Sequence, residues 1–185
     1  MARQKEFDPE AVLGQAMAVF WAQGYEKTSM QDLVQHMGVH KRSMYDTFGD
    51  KHALFLKALD HYTSRAEATF RSTVDSITDT RAALRALIEG SIEAGTEHSR
   101  GCMLVNCATE LAPRDPEAAE QVERHFERTR QLLVDLVARD RNRRDAEALG
   151  TLLFNAWLGL RVQARAGQSP ARLRRMAETL YALLD

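Results

Sequence analysis

TSMQDLVQHMGVHKRSMYDTFGDKHALF, residues Thr28 to Phe55, reads as two short helices split by a glycine turn and followed by the start of a third. Thr28 or Ser29 can cap the first helix, in which Met30, Leu33, Val34 and Met37 share one face. Gly38 stops it, because glycine accepts the left-handed backbone that ends a helix. The second short helix is expected over residues 40–47, with Met44 and Phe48 turned inward. Asp50 then caps a much longer helix through Leu54, Ala58 and Tyr62 towards Ile77. Two short helices around a tight turn fit the helix-turn-helix unit, whose second helix lies in the major groove of DNA.

A helix that enters a groove needs one apolar face towards its scaffold and one polar face with reach. Val39, Met44 and Phe48 supply the first, and His40, Lys41, Arg42, Ser43, Tyr45 and Thr47 supply the second. Arg42 can give two parallel hydrogen bonds to guanine O6 and N7. The hydroxyls of Tyr45, Ser43 and Thr28 suit phosphate oxygens, and Lys51 can reach the backbone from the first turn of the long helix.

Upstream, Asp8-Pro9 is an N-cap followed by proline at the first helical position, and Val12, Ala16, Val19 and Phe20 form a single stripe before Gly24. Downstream every segment is again helical. One is expected over 80–97, with Leu84, Leu87, Ile88 and Ile92 as its stripe, and one from about 102 to before Pro113. Asp115-Pro116 opens another to about 139, a further one covers 145–166, and Ser169-Pro170 starts the last. No stretch alternates with strand period. The fold class is therefore all-α, with about nine helices. Residues 1–51 are expected to form a three-helix helix-turn-helix domain and residues 52–185 a helical effector-binding and dimerisation domain.

Composition agrees with an ordinary folded protein: 44% of the 185 residues are hydrophobic and 28% charged, and ten glycines and four prolines leave helices uninterrupted. No apolar run approaches the ~18–20 residues that span a bilayer, so no membrane partner is expected. The N-terminus has no apolar core of a secretory signal. With only Cys102 and Cys107, five positions apart on one expected helix, a structural disulfide is not expected, and a cytoplasmic location is the simplest reading. Net charge is −1, and within residues 1–51 Arg3, Lys5, Lys27, Lys41, Arg42 and Lys51 face seven Asp/Glu. DNA binding must then rest on a local arrangement of cations rather than on overall charge.

At these positions the chain resembles the TetR/AcrR family of bacterial transcriptional regulators. The segment Gly-Val-x-x-x-x-(Leu/Met)-Tyr-x-x-Phe followed by x-x-Lys-x-x-Leu is matched by Gly38-Val39, Met44-Tyr45, Phe48, Lys51 and Leu54. Phe20, Gly24, Tyr25, Thr28 and Leu33-Val34 fit upstream. His40-Lys41-Arg42 departs from the frequent Ser-Lys-Gly, which makes the face more basic and leaves the preferred operator open. The resemblance implies a repressor that binds a palindromic double-stranded operator as a homodimer, paired through its last two long helices, about 143–166 and 170–184. Leu153, Leu160, Leu173 and Leu180, with Trp157, are the apolar residues a four-helix interface across a two-fold axis would bury.

A small-molecule or reactive effector is also expected. Candidate pocket residues are Phe70, Cys102, Met103, Asn106, Glu110, Phe126, Phe154, Trp157 and Arg161. Asn106 and Glu110 are polar, one turn apart, in an otherwise apolar helix. Cys102 follows Arg100-Gly101, so it reads either as a thiol that a neighbouring cation makes reactive or as a small buried residue at a helix start. Glu97, His98 and Cys102 have metal-ligand chemistry without a recognised spacing, and neither metal nor cofactor is expected. Arg3-Gln4-Lys5 could reach a minor groove or be a frayed terminus. There is no phosphate-cradling glycine loop, nucleophile elbow or zinc-protease His pair, so no enzymatic activity is expected. The competing reading is a helical adaptor that binds protein without sequence-specific DNA binding, and selective DNA binding separates the two.

Overall fold

A computed structural model describes residues 7–97 and 100–184. The Arg3-Gln4-Lys5 segment and His98, and with His98 the metal-ligand trio, lie outside the described residues. The described residues form nine α-helices and short 3₁₀ turns, without a strand. The helices are α1 (Pro9–Gln23), α2 (Met30–Met37), α3 (Lys41–Phe48), α4 (Lys51–Ser76), α5 (Thr80–Thr96), α6 (Met103–Glu110), α7 (Pro116–Val137), α8 (Arg143–Arg165) and α9 (Pro170–Tyr181).

Capping side chains set most of these starts. Asp8, Ser29, Asp50, Asp79, Asp115, Asn142 and Ser169 each accept a backbone N–H of the first turn. Of the two candidates for α2, Ser29 is the cap. It forms a reciprocal box with Asp32, whose carboxylate accepts the Ser29 N–H at 2.9 Å.

Two apolar clusters hold the molecule. The first joins α1–α3 (Ala16, Phe20, Leu33, Met44) to the start of α4 (Leu54, Phe55, Leu59), to α6 (Met103, Leu104, Cys107) and to the first turns of α7 (Ala118, Val122). The core of the helix-turn-helix therefore continues without a break into α4 and α6. The second cluster packs α5, α7, α8 and α9 through Leu84, Ile88, Leu136, Leu153, Leu173 and Tyr181. Among the described residues, no helix is long and apolar enough to cross a membrane.

Candidate DNA-reading face and the helical domain behind it

The turn into α3 is made by Gly38, whose φ of 62° is left-handed and ends α2 through its N–H to the Val34 carbonyl. Val39, Met44 and Phe48 are buried, which fixes one side of α3 to the scaffold. His40, Lys41, Arg42 and Tyr45 are exposed and Ser43 and Thr47 half-buried. The Arg42 side chain is 92% exposed, with Asp46 3.8 Å away one turn on, a contact too exposed to immobilise it. Lys57, which the sequence reading passed over, donates to the Phe48 carbonyl at 3.0 Å and closes the C-terminus of α3. A lysine nine residues beyond a short helix is the only sequence trace of that cap.

Lys51 opens α4 beside this face, its ammonium 4.3 Å from the centroid of the Tyr25 ring. Thr28 is a correction. It is 1% exposed and its hydroxyl donates to the Gly24 carbonyl at 2.6 Å, so the side chain locks the α1–α2 turn instead of facing outward with the others.

Behind α1–α3, Cys102 is the residue that precedes α6, buried and free of any disulfide. The Tyr62 hydroxyl of α4 donates to its Sγ at 3.5 Å. Arg161 of α8 lies beside both, and stacks its guanidinium 3.8 Å from the Trp157 ring centroid. Burial works against the Arg161 charge, yet the adjoining Cys102 and Tyr62 outweigh it and raise its pKa. Burial, with the neighbouring thiol, pushes the Tyr62 phenol up. Trp21 of α1 packs edge-on against Tyr62 at 5.1 Å, and Arg100 lies over its face at 5.8 Å. Trp21 and Tyr62 were missed because each reads, in its own helix, as an ordinary apolar position. Cys107 is buried one turn further along α6, and burial pushes its thiol up to about 12, helped by Asp115 and Glu110.

The other pocket candidates scatter. Phe126, Phe154 and Trp157 form an aromatic chain with centroids 5.7 and 6.4 Å apart. Phe70 belongs to the second apolar cluster and Met103 to the first. Asn106 and Glu110 are corrections, since neither presents its polar end to the Cys102 group. Asn106 donates to the Arg100 carbonyl at 3.0 Å, holding the loop before α6. Glu110 accepts the N–H groups of Tyr25 and Glu26 at 3.2 and 3.0 Å, in the turn between α1 and α2.

The expected dimer residues are corrected as well. Leu153, Leu160 and Leu173 are 1%, 6% and 0% exposed within a single chain, and Leu180 is half-buried against the second cluster. The apolar residues left uncovered lie on the other faces of α8 and α9: Leu152 at 50%, Val162 at 51% and Met176 at 38%, with Leu183 at 41% just beyond α9. On α8, exposed Ala148, Asn155 and Gly159 continue this row at spacings of three and four.

The family described as "Bacterial regulatory proteins, tetR family" matches residues 12–58. The family described as "Transcriptional regulator LmrA/YxaF-like, C-terminal domain" matches residues 74–179, more than half of the chain. The HTH-type transcriptional regulator YezE of Bacillus subtilis (strain 168) is 33% identical, covering 100% of both chains. The HTH-type transcriptional repressor ComR of Escherichia coli (strain K12) is 30% identical over 98% of this chain and 90% of its own length. Among solved structures, the TetR family transcriptional regulator CifR, a cysteine mutant in complex with 26-bp double-strand operator DNA, superposes with a TM-score of 0.85 at 26% identity. That superposition covers 98% of each chain.

Proposed function

This chain belongs to the TetR family of DNA-binding transcriptional regulators, and from that membership we propose that it is a repressor that binds an inverted-repeat operator as a homodimer and is released by a small-molecule or reactive-species effector. The observation that carries the reading is the division of α3: Val39, Met44 and Phe48 buried, His40, Lys41, Arg42 and Tyr45 exposed. An eight-residue helix with so little core of its own has that exposed row to offer a groove. In this reading Arg42 contacts base edges, Tyr45, Ser43 and Thr47 contact sugar and phosphate, and Lys51 and the first turn of α4 close on the backbone. Residues 1–51 are the reading head and 52–185 the effector and dimerisation part. The operator complex of CifR and the repressor role of ComR support the assignment.

Pairing uses the row Leu152, Gly159 and Val162 of α8 with Met176 of α9, not the leucines that pack inward. Exposed large apolar residues in one row are what a partner helix covers, and small residues between them let two helices approach. A two-fold pair places the two heads for half-sites about 34–36 Å apart or a multiple of that.

The effector reading centres on Cys102, Tyr62 and Arg161. Tyr62 stands on α4, which begins at Lys51, so an adduct on Cys102 that displaces Tyr62 loads the same helix that carries the phosphate contact. Such an effector acts by favouring one head spacing over the other. The testing experiment compares a full inverted repeat with a single half-site of the same sequence by fluorescence anisotropy. The reading expects far tighter binding of the full site, with two chains per duplex. Equal affinity for both, at one chain per duplex, overturns the dimeric-repressor reading.

A further inference from the structure

The carboxylate of Glu110 sits in a backbone seat of the head, although its residue belongs to the far end of α6. It accepts the N–H groups of Tyr25 and Glu26, which are otherwise part of the α1–α2 turn. The fit is close: a Cβ added at Gly24, whose φ is 85°, would stand 2.7 Å from one Glu110 oxygen and 2.9 Å from the other. The φ of 85° favours glycine, and the missing side chain leaves room for the carboxylate. Two side contacts flank the seat. Arg114 meets Glu26 at 2.6 Å, and His52 meets Asp115 at 2.7 Å, while Asp115 uses its other oxygen to hold the first turn of α7.

What this seat controls follows from Tyr25. Its ring packs on Phe20, Phe55 and His52 and carries Lys51 on its face. α6 is therefore anchored at its start beside Tyr62 and Arg161 and at its end on the turn whose aromatic ring places Lys51. A hydrogen bond from N–H to a carboxylate is stronger than a neutral one, and two on one carboxylate fix a direction as well as a distance.

We propose that Glu110 is a positioning residue for operator binding: its carboxylate, seated on the Tyr25 and Glu26 N–H groups, sets the angle of the reading head on the helical domain and thereby the half-site spacing the dimer accepts. This rests on the regulator reading above. It makes α6 a second link between the Cys102 group and the head, beside α4.

The test uses the full chain and the inverted repeat that it selects, in duplexes whose half-sites are drawn together or apart by one and two base pairs. The wild type is expected to prefer one spacing sharply. Glu110→Ala is expected to flatten that preference by about tenfold, with random-sequence affinity close to wild type. Glu110→Gln, which keeps the shape and one acceptor oxygen but loses the charge, carries the same test if the alanine variant does not fold. An unchanged spacing profile overturns the proposal, and so does an equal loss across all spacings, which is what mere destabilisation gives. A wild-type chain that selects no repeat strikes the regulator reading itself and takes this inference with it.

Discussion

The ammonium of Lys51 lies 4.3 Å from the centre of the Tyr25 ring, so a cation on α4 is held in place by a side chain of the α1–α2 turn. The attraction of a cation to the ring face is about 0.5–1 kcal/mol at an exposed site, enough to bias the lysine without burying its charge. Tyr25 is itself fixed by Phe55, at 5.0 Å between centroids, and by the Glu110 carboxylate on its N–H. The position of the Lys51 ammonium is thus a property of the packed junction, whereas the Arg42 side chain is 92% exposed.

That contrast separates two variants. Arg42→Ala should cost about 1–3 kcal/mol of discrimination at one base pair of the operator. Lys51→Ala should weaken selected and random duplexes alike and lower the salt slope by about one. Anisotropy titrations over a range of salt read both, and matching behaviour of the two variants would contradict the roles assigned.

Thr28→Val removes a buried hydroxyl that donates to the Gly24 carbonyl. The expected loss is about 1 kcal/mol of unfolding free energy, with the salt dependence of DNA binding unchanged. A reduced salt slope, measured alongside chemical denaturation, would return Thr28 to the phosphate-contacting set.

For the dimer, Leu152→Glu and Val162→Glu together should convert the protein to folded monomers in sedimentation runs. Leu153→Ala should instead destabilise the protomer by about 2–5 kcal/mol, because that leucine is 1% exposed within its own chain. Dimers that survive the paired glutamates would place the interface elsewhere.

For the effector, N-ethylmaleimide supplies a simple probe, since the Cys102 thiol can add its S–H across the maleimide double bond. The operator complex should dissociate on treatment, and Cys102→Ser should bind the operator normally and resist release. Cys107, with its thiol pushed up to about 12, stays protonated and should remain unlabelled in the folded chain. Equal release of the serine variant would remove Cys102 from the mechanism.

His125 provides a pH test of the α4–α7 contact. It is 4% exposed, its ring 3.0 Å from the Thr63 hydroxyl and 3.7 Å from Asp60. Burial lowers its pKa, Arg128 and Arg124 lower it further, and Asp60 and Glu67 oppose them. Below the ordinary imidazole value of 6.5 the unfolded chain then binds more protons than the folded one. The contribution is complete above that pH and is lost as pH falls through the folded value. Thermal midpoints should decline below about pH 6.5 more steeply in the wild type than in His125→Asn. Parallel declines would show that another group dominates.

Much of this architecture was legible because it is local. Asp8, Asp50, Asp115 and Ser169 announce helix starts through contacts made within three residues. The polar and apolar sides of α3 follow from eight consecutive residues, one helix against one scaffold. What was not legible is which of two apolar rows meets the chain's own core. α8 carries Leu152 next to Leu153, and only the packing of α5, α7 and α9 decides that the second is buried. Asn106 and Glu110 stand out in the sequence as polar residues of an apolar helix. The partner of Glu110, though, is a turn 84 and 85 positions away, which no helical period reports.

Selection from a random duplex library asks whether this chain reads a two-fold DNA sequence through α3. The selection should be run at about 0.15 M salt, where phosphate attraction alone is weakened. The wild type is expected to enrich an inverted repeat, and Arg42→Ala to enrich the same repeat with the preference at one base pair of each half-site relaxed. A folded dimer that enriches nothing above the starting library would contradict this reading and favour a helical adaptor that binds protein.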